Sequence, residues 1–189
     1  MHFDTPDDLA AVPSAGAEIG EDTLLLWILV WSELIAFGIL LAAFLIMSGL
    51  YPVDFAAARL HISPGLAAAN TVVLLTSGWQ AAIAAKHRAE PHQARVPLCI
   101  AAGFGLLFAV IKVFEYAGEI AFTIDASLHY FFELYFLVTG FHLLHVIFGS
   151  IVLLLVAWRP ARGNILLITT LWHAIDLVWL VMFPIIYLV

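Results

Sequence analysis

Residues 131–158 read FFELYFLVTGFHLLHVIFGSIVLLLVAW. The stretch holds one acid, Glu133, two histidines, His142 and His145, and neither lysine nor arginine. About 20 predominantly apolar residues, rising 1.5 Å each, cross the hydrocarbon core of a bilayer. This segment is long enough to do so, and it sets the solvent in which the rest of the chain must be read. Its two histidines then pose a chemical question: whether they ligate a metal or haem, carry protons, or pack.

The composition agrees with a lipid solvent. The chain has 189 residues, of which 64% are hydrophobic and 11% charged, with a mean hydropathy of +1.06. A soluble domain carries about 25% charged residues. The formal charge of −7 gives no basic patch for nucleic acid. Cys99 is the single cysteine, which excludes an internal disulfide and a multi-thiolate metal site. The first 23 residues, beginning MHFDTPDDLAAVPSAGAEIGED, are acidic and lack the basic region of a secretory signal. They read as a poorly ordered tail ahead of a membrane domain over 24–189.

Five apolar stretches predict five transmembrane helices and an all-α, polytopic membrane fold. They run from Leu24 to Leu50, Gly65 to Ala85, Pro97 to Gly118, Phe131 to Trp158 and Asn164 to Val189. Pro52, Pro64, Pro91, Pro97 and Pro160 fall between them or at their ends. The short connections predict antiparallel neighbours. With five spans, Lys86, Arg88, Arg95, Arg159 and Arg162 share one side and Arg59 lies on the other. The positive-inside rule then predicts a cytoplasmic N-terminus and an external C-terminus. Ala101, Gly105 and Ala109 repeat every four residues, a small-residue ridge suited to close helix contact in lipid.

Polar residues at membrane depth are costly and face the bundle interior or a function. Near the mid-plane the sequence places Glu33, His142, His145, His173 and Asp176. Nearer the outer face it places Lys112, Glu115 and Glu133. Lys112/Glu115, His142/His145 and His173/Asp176 are each spaced i, i+3 and so share a helical face. Lys112 is expected to pair with Glu115 locally or Glu133 across helices, and Asp176 to accept from a histidine.

Three readings of the mid-plane layer compete. Bis-histidine haem ligation would pair His142 or His145 with His173, making a membrane cytochrome b, but Phe141, Leu143, Leu144, Phe148 and Trp172 are expected to crowd the porphyrin. A carboxylate–histidine proton path would make a small proton-coupled transporter. The third reading is structural: hydrogen bonds worth ~0.6 kcal/mol each fix helix register, with contact to lipid headgroups or a partner. The structural reading is preferred.

Five motifs in order bring a resemblance. WSELIAFGILLAAF (31–44) resembles SE-x-x-x-F-x-x-L, with Glu33 at the carboxylate. NTVVLLTSG (70–78), opening on Asn70, resembles NT-x-x-LL-x-SG. FAVIKVFEY (108–116) matches F-x-x-x-Q-x-x-EY except that Lys112 replaces the glutamine. TGFHLLHVIFGS (139–150) resembles TGFH-x-x-HV-x-x-G, and LWHAIDLVWLVMFPIIYL (171–188) resembles WH-x-x-D-x-VW-x-x-x-F. Together they resemble subunit III of the haem-copper oxidase superfamily, in the five-helix bacterial form that lacks the first two of seven helices.

The resemblance implies a non-catalytic accessory subunit in a bacterial inner membrane, with no catalytic, cofactor-binding or metal-binding residue of its own. Haem, with copper or non-haem iron, is then expected in a subunit I-like catalytic partner, alongside other subunits of a respiratory complex. Membrane lipid, including a bound phospholipid, completes the expected partners. The implied roles are to stabilise the catalytic subunit and support proton uptake or substrate supply. Glu33, Asn70, Lys112, Glu115, Glu133, His142, His145, His173 and Asp176 become structural, lipid-contacting or partner-contacting groups. Lysine at 112 resembles the branch associated with nitric oxide reductases.

Overall fold

The computed structural model describes residues 15–120 and 128–188, with side chains from Leu24 onward except at Leu25. Six α-helices follow in order: α1 (Ala15–Leu50), α2 (Pro52–Arg59), α3 (Pro64–Lys86), α4 (Pro91–Glu119), α5 (His129–Trp158) and α6 (Arg162–Tyr187). A 3-10 turn at His87–Ala89 joins α3 to α4. Five helical spans are long and apolar enough to cross a membrane: Leu26–Leu50, Pro64–Ala89, Pro91–Glu119, His129–Trp158 and Arg162–Tyr187. The chain is an all-α, multi-pass membrane protein. Of the tail expected over 1–23, residues 1–14 lie outside the described residues, as does Val189, and α1 begins at Ala15.

Prolines start three helices. Pro52, Pro64 and Pro91 occupy the first helical turn of α2, α3 and α4, where a missing N–H removes no intrahelical bond. Pro97 departs from expectation, because α4 runs through it instead of starting there. It sits near the helix start, and membrane helices tolerate such a break when neighbours satisfy the freed backbone groups. The connection after α1 is not plain linker either. Within it α2 buries Phe55, whose ring packs edge-on against Phe44 of α1 at 5.4 Å and Phe131 of α5 at 5.3 Å.

The core is a four-helix ring. Helix α3 packs on α4, α4 on α5, α5 on α6, and α6 back on α3, with little direct contact between α4 and α6. Helix α1 lies outside this ring against α5 and α6. Its outer face leaves Trp27, Trp31, Ile35, Ile39 and Ile46 exposed, as a lipid-facing helix should.

Lipid tails are as apolar as leucine, so close packing and hydrogen bonds must hold the ring together. The expected small-residue ridge does this in part. Ala101, Gly105 and Ala109 are buried. A β-carbon at Gly105 would come within 2.7 Å of the Trp172 ring, and one at Gly149 within 2.8 Å of the same ring. Trp172 of α6 is thus seated between two bare backbones, on α4 and α5. Its indole N–H donates to Ser77 Oγ on α3 at 3.1 Å, and Ser77 donates to the Ala101 carbonyl of α4 at 2.6 Å. One tryptophan therefore touches all four helices of the ring.

The basic residues gather at one end. Arg95 of α4 donates to the Trp158 carbonyl of α5 at 3.4 Å, and Arg162 of α6 to the Ala89 carbonyl at 3.0 Å. Lys86, Arg88 and Arg159 lie in the same two connections, whereas Arg59 is at the other end, in α2.

Candidate functional site

The polar residues separate into a cluster around Lys112 and a group that holds the histidines with Glu33 and Asp176. Lys112 of α4 is fully buried. Its ammonium donates to Glu115 Oε2 at 2.9 Å, to the Tyr135 hydroxyl of α5 at 2.8 Å and to the Tyr187 hydroxyl of α6 at 2.5 Å. Lysine has three N–H donors and all three are used. Tyr187 donates onward to Glu115 Oε1 at 2.8 Å, and the two tyrosine hydroxyls lie 2.9 Å apart. The charge pair is neutral overall and hydrogen-bonded on every side, the condition under which a buried ion pair is tolerated.

Each helix supplies what its register allows. The i, i+3 spacing puts Lys112 and Glu115 on one face of α4, as the sequence predicted. Tyr135 and Tyr187 are not among the residues singled out from the sequence, yet their hydroxyls turn inward to Lys112. The available signal was arithmetic: a buried ammonium needs three acceptors, and Glu115 alone does not supply them.

Glu133 is a correction to the expected pairing. It is not beside Lys112; its side chain is 64% exposed and faces His129 Nε2 at 3.5 Å. His129 is four residues earlier on α5 and near the helix end, so both groups reach toward the headgroup region. Glu119, one turn beyond Glu115, is buried, and its carboxylate oxygens have no hydrogen-bond partner among the described residues. Tyr116 donates to Thr139 Oγ1 at 2.7 Å, since the threonine hydroxyl is itself spent on the Tyr135 carbonyl at 2.5 Å.

The mid-plane histidines have different surroundings. His142 is fully buried and stacks on Trp179 with centroids 5.2 Å apart. Phe108 and Phe37 present edges to it at 5.8 and 6.0 Å. Neither ring nitrogen has a partner among the described residues. Of the side chains the sequence expected to crowd the histidines, Phe141 packs on His145 at 4.5 Å, while Leu144 and Phe148 are exposed and Trp172 is wedged between Gly105 and Gly149.

His145 turns to α1. Its Nδ1 is 2.7 Å from the Phe141 carbonyl, four residues back, and its Nε2 is 2.9 Å from Glu33 Oε2. The pair borders an apolar groove of about 180 Å³ between α1, α5 and α6, lined by Leu34, Phe37, Val152, Ile168 and Ile175 among others.

His173 and Asp176 are neighbours rather than hydrogen-bonded: Nδ1 and Oδ2 are 3.8 Å apart. Asp176 is buried against Gly78 of α3, where a β-carbon would collide with it. Asn70 donates to the Phe108 carbonyl at 3.3 Å, tying α3 to α4. His142 and His145 share the Phe37 ring but differ in their other neighbours, and His173 lies beside Asp176 and Gly78. Among the described residues no three His, Cys, Asp or Glu side chains gather as a metal cluster.

The order of these polar groups along five spans invites comparison with known proteins. Residues 23–189 match the model of the cytochrome c oxidase subunit III family. The chain belongs to the cytochrome c oxidase subunit III family. It is 25% identical over 173 residues to cytochrome bo(3) ubiquinol oxidase subunit 3 of Buchnera aphidicola subsp. Schizaphis graminum, covering 86% of this chain and 91% of the relative. It is 27% identical to cytochrome c oxidase subunit 3 of Thermostichus vulcanus over 172 residues, covering 83% and 82%. Over a shorter region of 131 residues it is 34% identical to cytochrome c oxidase subunit 3 of Petromyzon marinus, covering 62% and 48%. As a subunit III family member, this chain carries its one buried ammonium, Lys112, inside a three-helix cage of hydroxyls and a carboxylate.

Proposed function

We propose that this chain is a non-catalytic subunit of a haem-copper oxidase-type respiratory complex in a bacterial inner membrane, with its N-terminus in the cytoplasm. The family match over residues 23–189 carries the reading. Haem, and copper or non-haem iron, belong on this account to a catalytic partner subunit. The role of this chain is to brace that partner within the membrane and support its supply of protons or substrate.

The site chemistry supports a bracing role. Lys112, Glu115, Tyr135 and Tyr187 spend their donors on one another and link α4, α5 and α6. Nε2 of His145 and Oε2 of Glu33, 2.9 Å apart, bring α5 against α1. The apolar groove beside that pair suits a phospholipid acyl chain, which needs a dry lining of this kind. The narrower reading, a nitric oxide reductase-type complex, is favoured by Lys112 standing where the related motif has glutamine.

The test is purification of the tagged chain from its own membranes in mild detergent. Co-purification of a haem-bearing subunit in fixed ratio, with oxygen or nitric oxide reduction by the isolated complex, is expected. Purification of the chain free of any haem protein would refute the reading, and nitric oxide turnover against oxygen turnover decides the narrower one.

A further inference from the structure

Glu119 closes α4, at the end of the bundle away from the basic residues. It is 3% exposed, and neither carboxyl oxygen has a hydrogen-bond partner among the described residues. It follows Glu115 by four residues, so the two acids share one face of α4 with Cβ atoms about 5–6 Å apart. It also stands in the last turn of that helix, which holds no basic residue. The helix dipole disfavours a negative charge there.

The donors around Glu119 are already committed. Lys112 spends its three N–H groups on Glu115, Tyr135 and Tyr187. Tyr187 donates to Glu115 Oε1 at 2.8 Å. The single O–H of Tyr135 has nearer acceptors in the Tyr187 hydroxyl, at 2.9 Å, and Glu115 Oε1, at 3.3 Å. Tyr116 is spent on Thr139. Arg59 of α2, at the same end, gives Glu119 no hydrogen bond. Helix α3 carries no titratable side chain from Pro64 to Ala85.

The charges are therefore uneven. Lys112 brings one positive charge, and Glu115 and Glu119, both within its electrostatic reach, bring two carboxyl groups. An ionised carboxylate buried without a donor is costly, and proteins relieve that cost by neutralising the group. A proton needs no cavity, and it supplies the donor that the cluster lacks.

We propose that Glu115, Glu119 and Lys112, with the Tyr135 and Tyr187 hydroxyls, form a proton-binding site in which the two carboxyl groups hold one proton between them. Lys112 balances one carboxylate and the proton the other, so the cluster is neutral. Acids coupled in this way take up and release their proton as a pair. The site lets the bundle exchange one charge at the end opposite its basic residues.

Infrared difference spectra of the full chain in mild detergent, near neutral pH, test this. Glu33 and Asp176 are common to all the proteins compared and cancel. Wild type minus Glu119→Gln is expected to show one carbonyl band of a protonated carboxylic acid, displaced in heavy water. Glu119→Gln copies the neutral acid and should keep the wild-type melting temperature. Glu115→Gln should lose the same band, because Lys112 then balances the one remaining carboxylate. Lys112→Gln should show about twice the band, since both acids then need a proton. Absence of the band from the first difference, its survival in Glu115→Gln, or an unchanged band in Lys112→Gln would each overturn the shared site.

Discussion

Lys112 of α4 and Tyr187 of α6, 75 residues apart in sequence, meet at 2.5 Å toward the C-terminal ends of their helices. The contact makes the last turn of the chain part of the buried ion pair. Removing Lys112 leaves Glu115 buried without its cation, and breaking a buried pair from one side costs about 3–5 kcal/mol. Lys112→Met is expected to lose that much. Lys112→Gln should lose less, since an amide can still donate to the carboxyl and one hydroxyl. Tyr187→Phe should cost about 1 kcal/mol, the worth of a single hydrogen bond. Thermal unfolding of the detergent-solubilised protein ranks the three; equal stability of all three would show that the ammonium has no such cage.

Glu133 offers the matching negative. Its side chain is mostly exposed and its ion-pair partner, His129, is exposed as well. Exposed pairs contribute about 0–1 kcal/mol. Glu133→Gln should therefore change stability by no more than about 0.5 kcal/mol. A loss as large as that of Lys112→Met, in the same unfolding assay, would put Glu133 back beside the lysine.

The tryptophan wedge predicts a size-dependent pair. Gly149→Ala pushes a methyl toward the Trp172 ring, which would lie 2.8 Å away. Overpacking of this kind costs about 1–3 kcal/mol. Trp172→Leu alone should also destabilise, by opening a cavity and abandoning Ser77. Combined, the two should cost less than their sum, and a double-mutant cycle reads the difference. Strict additivity would mean that the glycine and the indole do not touch.

A second cycle addresses the α1–α5 link. Glu33→Ala and His145→Ala each remove one half of a contact at 2.9 Å. Their coupling is expected to be about 0.5–3 kcal/mol in the stability of the solubilised protein. No coupling would mean that the two side chains are held near each other by the helices alone.

The five spans were legible because length and apolarity decide them, and nothing in a bilayer competes with that signal. Pro97 misled because a proline reads as a boundary, whereas α4 had already begun at Pro91 and absorbs the second proline near its start. Helix α2 was missed because its eight residues are too short to show a period and its buried ring, Phe55, is held by tertiary contacts. The i, i+3 rule found Lys112 with Glu115, a contact within one helix. It also put His142 and His145 on one face, yet His142 points to Phe108 and Trp179 and His145 to Glu33. A face some 60° wide on α5 meets two different neighbours, and helix order around the bundle is not written in local spacing. Tyr135 and Tyr187 were hidden for the same reason.

The central claim is that His142, His145 and His173 ligate no haem and that the redox centre lies in another chain. The visible absorbance spectrum of the chain expressed and purified alone tests it most directly. The account predicts no Soret band from the isolated chain, and a Soret band from the complex that is unchanged in position by His142→Ala and His173→Ala. A stoichiometric Soret band from the isolated chain, lost in both variants, would contradict it and make the chain a bis-histidine cytochrome.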